Sequence, residues 1–137
     1  MRIVLDTNIL ISALITPNGI GAQIIDAWNA DHFTILSHDL WLAEIRDVTR
    51  RHGISARIRR IDAARLVNRL VRSCERIENI ARVMRSPDPF DDFLLGIAET
   101  GNADWLVTGD KTGLLALERH GKTQIVTART FHTLLKL

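Results

Sequence analysis

The sequence predicts a three-layer α/β/α fold around a central parallel sheet of four or five strands. Three observations carry this. Short, nearly continuous apolar runs at Ile3–Leu5, Phe33–Leu36, Trp105–Val107 and Ile125-Val126 read as strands covered on both faces. Each is followed by a stretch with helical spacing, so strands and helices alternate along the chain. At 137 residues and 46% hydrophobic content, residues 1–137 form one domain able to bury a proper core.

The first strand, Ile3–Leu5, ends at Asp6, and Ile9–Leu14 forms a short helix that Pro17-Asn18-Gly19 terminates with turn chemistry. A second helix spans about Gly21 to Ala30, with Ile24, Ile25 and Trp28 at helical spacing. After the strand Phe33–Leu36, Ser37 is placed as the N-cap of a helix that turns Leu40, Trp41, Ile45 and Val48 inward and stops at Gly53. A long helix is predicted over Ala56 to Glu75, with an apolar stripe of Ile61, Ala64, Val67, Leu70, Val71 and Cys74. Ser86-Pro87-Asp88-Pro89 is a loop, and a helix from Asp91 to about Thr100 is closed by Gly101-Asn102. The strand Trp105–Thr108, a short helix near Leu114–Glu118, the strand Gln124–Val126 and a helix over Arg129–Leu135 complete the chain.

Charge is unevenly distributed. The formal net charge is only +2, yet residues 46 to 72 hold nine Arg against two Asp, a segment charge of +7. Arg65, Arg69, Arg72 and Arg76 recur three or four residues apart, as a face that grips phosphates, docks a protein partner or is simply solvated. The lone Cys74 excludes an internal disulfide and suits a reducing cytoplasm, where it serves as a small buried hydrophobe. Asp6 and Asn8 interrupt the N-terminal apolar run, and the uncharged stretch Thr7–Ile25 is a poor membrane span. The expectation is a soluble, cytoplasmic protein with no membrane association.

Acids recur where strands end. Leu5-Asp6 and Val107-Thr108-Gly109-Asp110 close two strands alike, and neighbouring parallel strands would present both carboxylates at one sheet edge. Asp88, Asp91 and Asp92 open the helix before the Trp105 strand, and Glu44 interrupts the run Leu40–Ile45, where a carboxylate needs a partner. Individually, Asp6, Asp91, Asp92 and Asp110 could all be helix caps; caps leave their recurrence at successive strand ends unexplained. Converging carboxylates repel one another unless cations neutralise them, and hard oxygen ligands select Mg²⁺ or Mn²⁺. The five His (32, 38, 52, 120 and 132) show no ligand spacing, and there is no Cys cluster for zinc.

Read together, these stretches resemble the PIN-domain nucleases, the group that includes VapC-type toxins of toxin–antitoxin systems. Ile3-Val4-Leu5-Asp6-Thr7-Asn8 resembles that family's opening motif, and Ser37 with Glu44-Ile45 its Ser…Glu helix. Asp88–Leu94 through Ala103–Asp110 resembles its third and fourth acidic motifs. The resemblance implies that Asp6, Glu44, Asp92 and Asp110 form a catalytic, metal-binding cluster, with Thr7, Asn8 and Thr108 in support. Asp92 is chosen over Asp91 by its distance to Asp110, leaving Asp91 as a supporting acid or helix cap. Phe90 stands where related sequences often carry a polar residue. The implied activity is Mg²⁺- or Mn²⁺-dependent endoribonuclease cleavage by a metal-activated water, and the implied partners are RNA, an antitoxin protein and a second copy of the chain. Arg65, Arg69 and Arg72 are candidates to bind RNA or the acidic part of a partner.

Other phosphate chemistries fit less well. An aspartyl phosphatase needs a second Asp where Asn8 stands, no Walker-type glycine loop exists, and Ser or Cys nucleophiles lack a recognisable elbow. The rival from another class is a catalytically inactive PIN-like module that binds RNA or protein.

Overall fold

The apolar runs become the centre of a six-stranded, mostly parallel sheet flanked by helices. The computed structural model describes residues 1–109 and 112–136. In chain order its elements are β1 (Arg2–Leu5), α1 (Thr7–Ile15), α2 (Ile20–Asn29), β2 (Thr34–Ser37), α3 (Asp39–Arg50), α4 (His52–Ser55) and α5 (Arg60–Ser73). There follow β3 (Glu75–Arg76), α6 (Pro89–Thr100), β4 (Trp105–Thr108), α7 (Thr112–Leu117), β5 (Arg119–His120), β6 (Thr123–Thr127) and α8 (Ala128–Leu134). The sheet order is β3-β2-β1-β4-β6-β5, parallel throughout except for the β5–β6 pair.

That order fixes where a ligand crevice can open. From β1 the chain crosses through α1 and α2 to β2 on one side, and only much later does β4 pair with the other side. Right-handed crossovers running in opposite directions put their helices on opposite faces. The packing agrees: α1, α2, α3, α5 and α8 form one connected layer, whereas α6 lies across β1, β2 and β4. The winding direction therefore switches between β1 and β4, and ligands of open α/β sheets bind beyond the strand ends at such a switch. Ile3, Val4 and Leu5, with Leu106 and Val107 beside them, are buried on both faces and make this part of the sheet rigid.

Two short edge strands extend the sheet beyond the four that the apolar runs mark. β3 is a two-residue, solvent-exposed pair, and β5 is held only by a hairpin. Gly121, with φ +57°, is the first of two loop residues in that hairpin, where a type II′ turn requires glycine. β1 is tied to the β3 edge by Arg2, whose guanidinium forks onto Glu75 and also donates from Nε to the Gly101 carbonyl at 2.8 Å.

The helical predictions need correction in several places. The expected helix over Ala56–Glu75 is instead the short α4, a turn, and α5, and Gly53 lies inside α4 rather than stopping α3. Arg76 accordingly sits in β3, off the Arg65–Arg69–Arg72 helix. The buried stripe of α5 is Leu66 and Leu70, with Val67 and Cys74 half-buried, while Ile61 and Val71 are each 49% exposed and Ala64 is exposed. Leu66 and Leu70, one helical turn apart, make the buried face of α5, which packs against α3. On α3, Leu40 is 61% exposed, and Leu42 is buried along with Trp41 and Ile45.

Helix caps also differ. Ser37 ends β2 and is buried; the N-cap of α3 is His38, whose Nδ1 accepts from the Leu40 N–H at 3.0 Å. α6 begins two residues before the expected Asp91, with Asp88 as N-cap accepting from the Phe90 N–H at 2.9 Å and Pro89 in its first turn. Among the described residues no single helix is long and apolar enough to cross a membrane. Burial pushes the Cys74 thiol up to about 12, so it stays protonated and packs as a hydrophobe, as its sequence context implied.

Candidate functional site

At the β1–β4 switch, Asp6 continues the strand geometry for one more residue. Its N–H donates to the Val107 carbonyl at 2.8 Å, and its φ and ψ (−61°, 141°) remain extended. It occupies the N-cap position of α1, yet its side chain makes no capping hydrogen bond. Instead the carboxylate accepts, through Oδ2, the Thr108 hydroxyl at 2.8 Å. Asp6 is 6% exposed and Thr108 wholly buried, so a charged side chain has been committed to the strand end rather than to the helix. The helix-cap reading of Asp6 is excluded by this geometry. Oδ1 accepts no hydrogen bond among the described residues. Thr7, buried in the first turn of α1, and the half-buried Asn8 lie beside it in sequence.

Three contacts hold the acid-bearing elements around this strand end. The Thr108–Asp6 bond joins β4 to β1. The Trp41 indole, wholly buried, donates from Nε1 to the Leu5 carbonyl at 2.8 Å and pins α3 to the last residue of β1. The His38 ring meets the Phe93 ring edge-on at 5.2 Å, which ties the start of α3 to α6 beside Asp92. Phe90 also packs on Phe93, with centroids 5.6 Å apart, so its apolar character is used in packing. Neither the Trp41 nor the His38 contact was read from sequence; the signal for the first was an aromatic one helical turn ahead of Glu44.

Glu44 follows Trp41 at i+3 and so shares its side of α3. It is half-buried, and its partner is Arg51, whose guanidinium lies 3.6 Å from Glu44 and 3.0 Å from Asp47. This answers the expectation that a carboxylate within Leu40–Ile45 needs a counter-charge.

On α6 the adjacent acids face differently. Asp92 Oδ1 accepts the backbone N–H groups of Arg85 and Ser86 at 2.9 and 2.8 Å, fixing the end of the segment 77–88 that leads into the helix. Asp91 Oδ2 receives the Ser86 hydroxyl at 3.4 Å and lies 3.1 Å from where a Cβ on Gly113 would stand. Asp91 thus faces the first turn of α7, just beyond the end of β4. Asp110 lies outside the described residues.

Among the described residues, then, Asp6 and Thr108 are in direct contact, and no group of three or more acidic, His or Cys side chains stands close enough to hold an ion. The donor chemistry at this edge nonetheless fits a hard divalent cation: a buried carboxylate with an open oxygen, further carboxylates on the flanking helices, and hydroxyls. Arg65, Arg69 and Arg72 are exposed on α5. They line a groove of about 550 Å³ against α1 and α2 together with Leu14, Ile25, Asp26 and Asp62, and Arg69 lies over the Trp28 ring at 5.6 Å.

Comparison with known proteins places this geometry. The model of the PIN domain matches residues 2–112, a span holding Asp6, Glu44, Asp91, Asp92 and Asp110. Among solved structures, the crystal structure of PAE2754 from Pyrobaculum aerophilum is similar with a TM-score of 0.62, at 19% identity, over 98% of this chain and 88% of that one. That likeness speaks to the fold. No curated protein matches the sequence.

Proposed function

We propose, since this chain belongs to the PIN-domain family, that it is a metal-dependent endoribonuclease and the toxin of a toxin–antitoxin pair. PIN domains are a family of metal-dependent nucleases. The observation that carries the reading is Asp6: a buried carboxylate at the topological switch, spared from capping and held by Thr108.

Asp6, Glu44 and Asp110 would hold Mg²⁺ or Mn²⁺, with Thr108, Thr7 and Asn8 supporting them. Of the two α6 acids, Asp92 is the proposed ligand by its spacing to Asp110, its Oδ1 at the same time anchoring the Arg85 and Ser86 N–H groups, and Asp91 supports it. A cation held there would lower the pKa of an attacking water and stabilise the leaving oxygen of a phosphodiester. The chain's own contribution is to fix the ligand orientations through Thr108, Trp41 and His38.

For the partners, the groove beside Arg65, Arg69 and Arg72 favours a protein, the antitoxin, over a phosphate backbone, because apolar Leu14 and Ile25 and acidic Asp26 and Asp62 line it too. Association of two copies and cytoplasmic location complete the proposal. The test is cleavage of single-stranded RNA with Mn²⁺ or Mg²⁺, its loss in EDTA, and its loss in Asp6→Asn. RNA binding without metal-elicited cleavage across varied substrates would replace the enzyme with a binding module. Arg65→Glu with Arg69→Glu should leave RNA affinity unchanged; a loss that is largest at low salt and shrinks as salt rises would return that face to RNA.

A further inference from the structure

Arg51 is the one charged partner of Glu44 among the described residues, and its backbone is fixed by two helices at once. It is the C-cap of α3, its N–H donating to the Val48 carbonyl at 3.2 Å, and its own carbonyl accepts the first N–H groups of α4, from Ile54 at 3.0 Å and Ser55 at 2.8 Å. From that corner the side chain runs back along α3, over Asp47 at i−4 and on to Glu44 at i−7, residues that share one helical face. The guanidinium is therefore divided between two carboxylates, closer to Asp47 (3.0 Å) than to Glu44 (3.6 Å).

We propose that Arg51 is a positioning residue that competes with the divalent cation for Glu44, and that Asp47 sets the strength of this competition by drawing the guanidinium away. The inference rests on the reading of Glu44 as a cation ligand. A carboxylate that faces Arg51 must exchange it for the cation, so the net gain on loading is reduced by whatever the ion pair contributes. Arg51 is 57% exposed and Glu44 32%, which keeps that contribution small. Asp47, at i+3 from Glu44, offers Arg51 the better-placed oxygen, so exchange is a short swing of one guanidinium and no backbone need move.

The experiment is titration calorimetry of the full chain with MnCl₂. Arg51→Gln should bind Mn²⁺ about two- to fivefold more tightly than wild type, the scale of an exposed ion pair, and Arg51→Lys should stay near wild type. Asp47→Asn should weaken binding, and that weakening should largely vanish when Arg51→Gln is also present, the mark of an effect transmitted through Arg51. Unchanged or weaker binding by Arg51→Gln overturns the proposal, as does an Asp47→Asn effect that persists without Arg51. Glu44→Gln separates the two levels. If it fails to weaken Mn²⁺ binding, the assignment of Glu44 as ligand fails, and this inference with it; if it weakens binding while Arg51→Gln has no effect, only the competition is lost.

Discussion

The Trp41 indole N–H and the Leu5 carbonyl meet at 2.8 Å inside the core, joining a helix residue three positions before Glu44 to the strand residue immediately before Asp6. A buried hydrogen bond this close to two acids is a geometric constraint on both. Trp41→Phe keeps the aromatic body but orphans the carbonyl, which should cost about 1–3 kcal/mol of stability. Urea denaturation should show that loss, and Mn²⁺ binding should weaken with it; a variant as stable as wild type would mean the bond does not anchor α3.

Thr108 offers a sharper test of the strand end, because its hydroxyl touches Asp6 and no other hydrogen-bond partner among the described residues. Thr108→Val is nearly isosteric and should lower Mn²⁺ affinity by about 10- to 100-fold, the usual effect of removing a group that orients a metal ligand. Thr108→Ser, which restores the donor, should recover most of it. Equal affinity in Val and Ser variants would assign Thr108 to packing alone.

Gly96 tests how the segment before α6 is seated. A Cβ there would stand 2.5 Å from the Ala81 carbonyl oxygen, a backbone atom that cannot yield like the tip of a flexible side chain. The same residue, Ala81, donates its N–H to the Thr100 hydroxyl at 2.7 Å, so the segment is held against the helix from both sides of the clash. Gly96→Ala should cost about 1–3 kcal/mol despite its better helix propensity, as overpacking does, and thermal melting would reveal it.

Acid should first loosen the contacts that Arg2 makes at the start of β1. Glu75 is held below its ordinary value by the hydrogen bond from Arg2, and Asp104 by the Arg2 backbone N–H and, further, by Lys122. A carboxylate with a depressed folded pKa contributes stability that is complete above its unfolded value and lost as pH falls through the folded one. The loss therefore begins as pH falls past the ordinary carboxylate values, 4.5 for Glu75 and 3.8 for Asp104, and continues below them. Glu75→Gln and Asp104→Asn should each flatten the acid limb of a denaturation curve followed by circular dichroism, with no change in slope at neutral pH.

The elements most legible in sequence were those whose burial is total. β1, β2 and β4 declare themselves because strands covered on both faces are apolar without alternation, and Trp105–Thr108 begins and ends where its sequence suggested. β3 escaped because two exposed residues, Glu75 and Arg76, carry no period at all; its existence depends on the Leu36 and Ser37 backbone offering an edge. On α5 the composition supports more than one apolar stripe, and packing against α3 selects Leu66 and Leu70 over Ile61 and Val71. Acid positions could be read from strand ends, but acid orientation could not. Asp91 and Asp92 are neighbours in sequence, yet one faces α7 and the other holds the Arg85 and Ser86 N–H groups, a difference fixed by where α6 begins.

The Asp6–Thr108 bond joins residues 102 apart in sequence across the sheet's central pair of strands. Its consequence is temporal. During synthesis, at about 5–20 residues per second, Asp6 emerges at the outset and Glu44, Asp91 and Asp92 follow, but the strand that orders Asp6 arrives only after all of them. Such distant pairings are also the slow ones to form. A nascent or truncated chain ending before β4 thus carries most of its acids without a strand partner to set the first of them, and competence arrives with closure of the sheet rather than with the appearance of its residues.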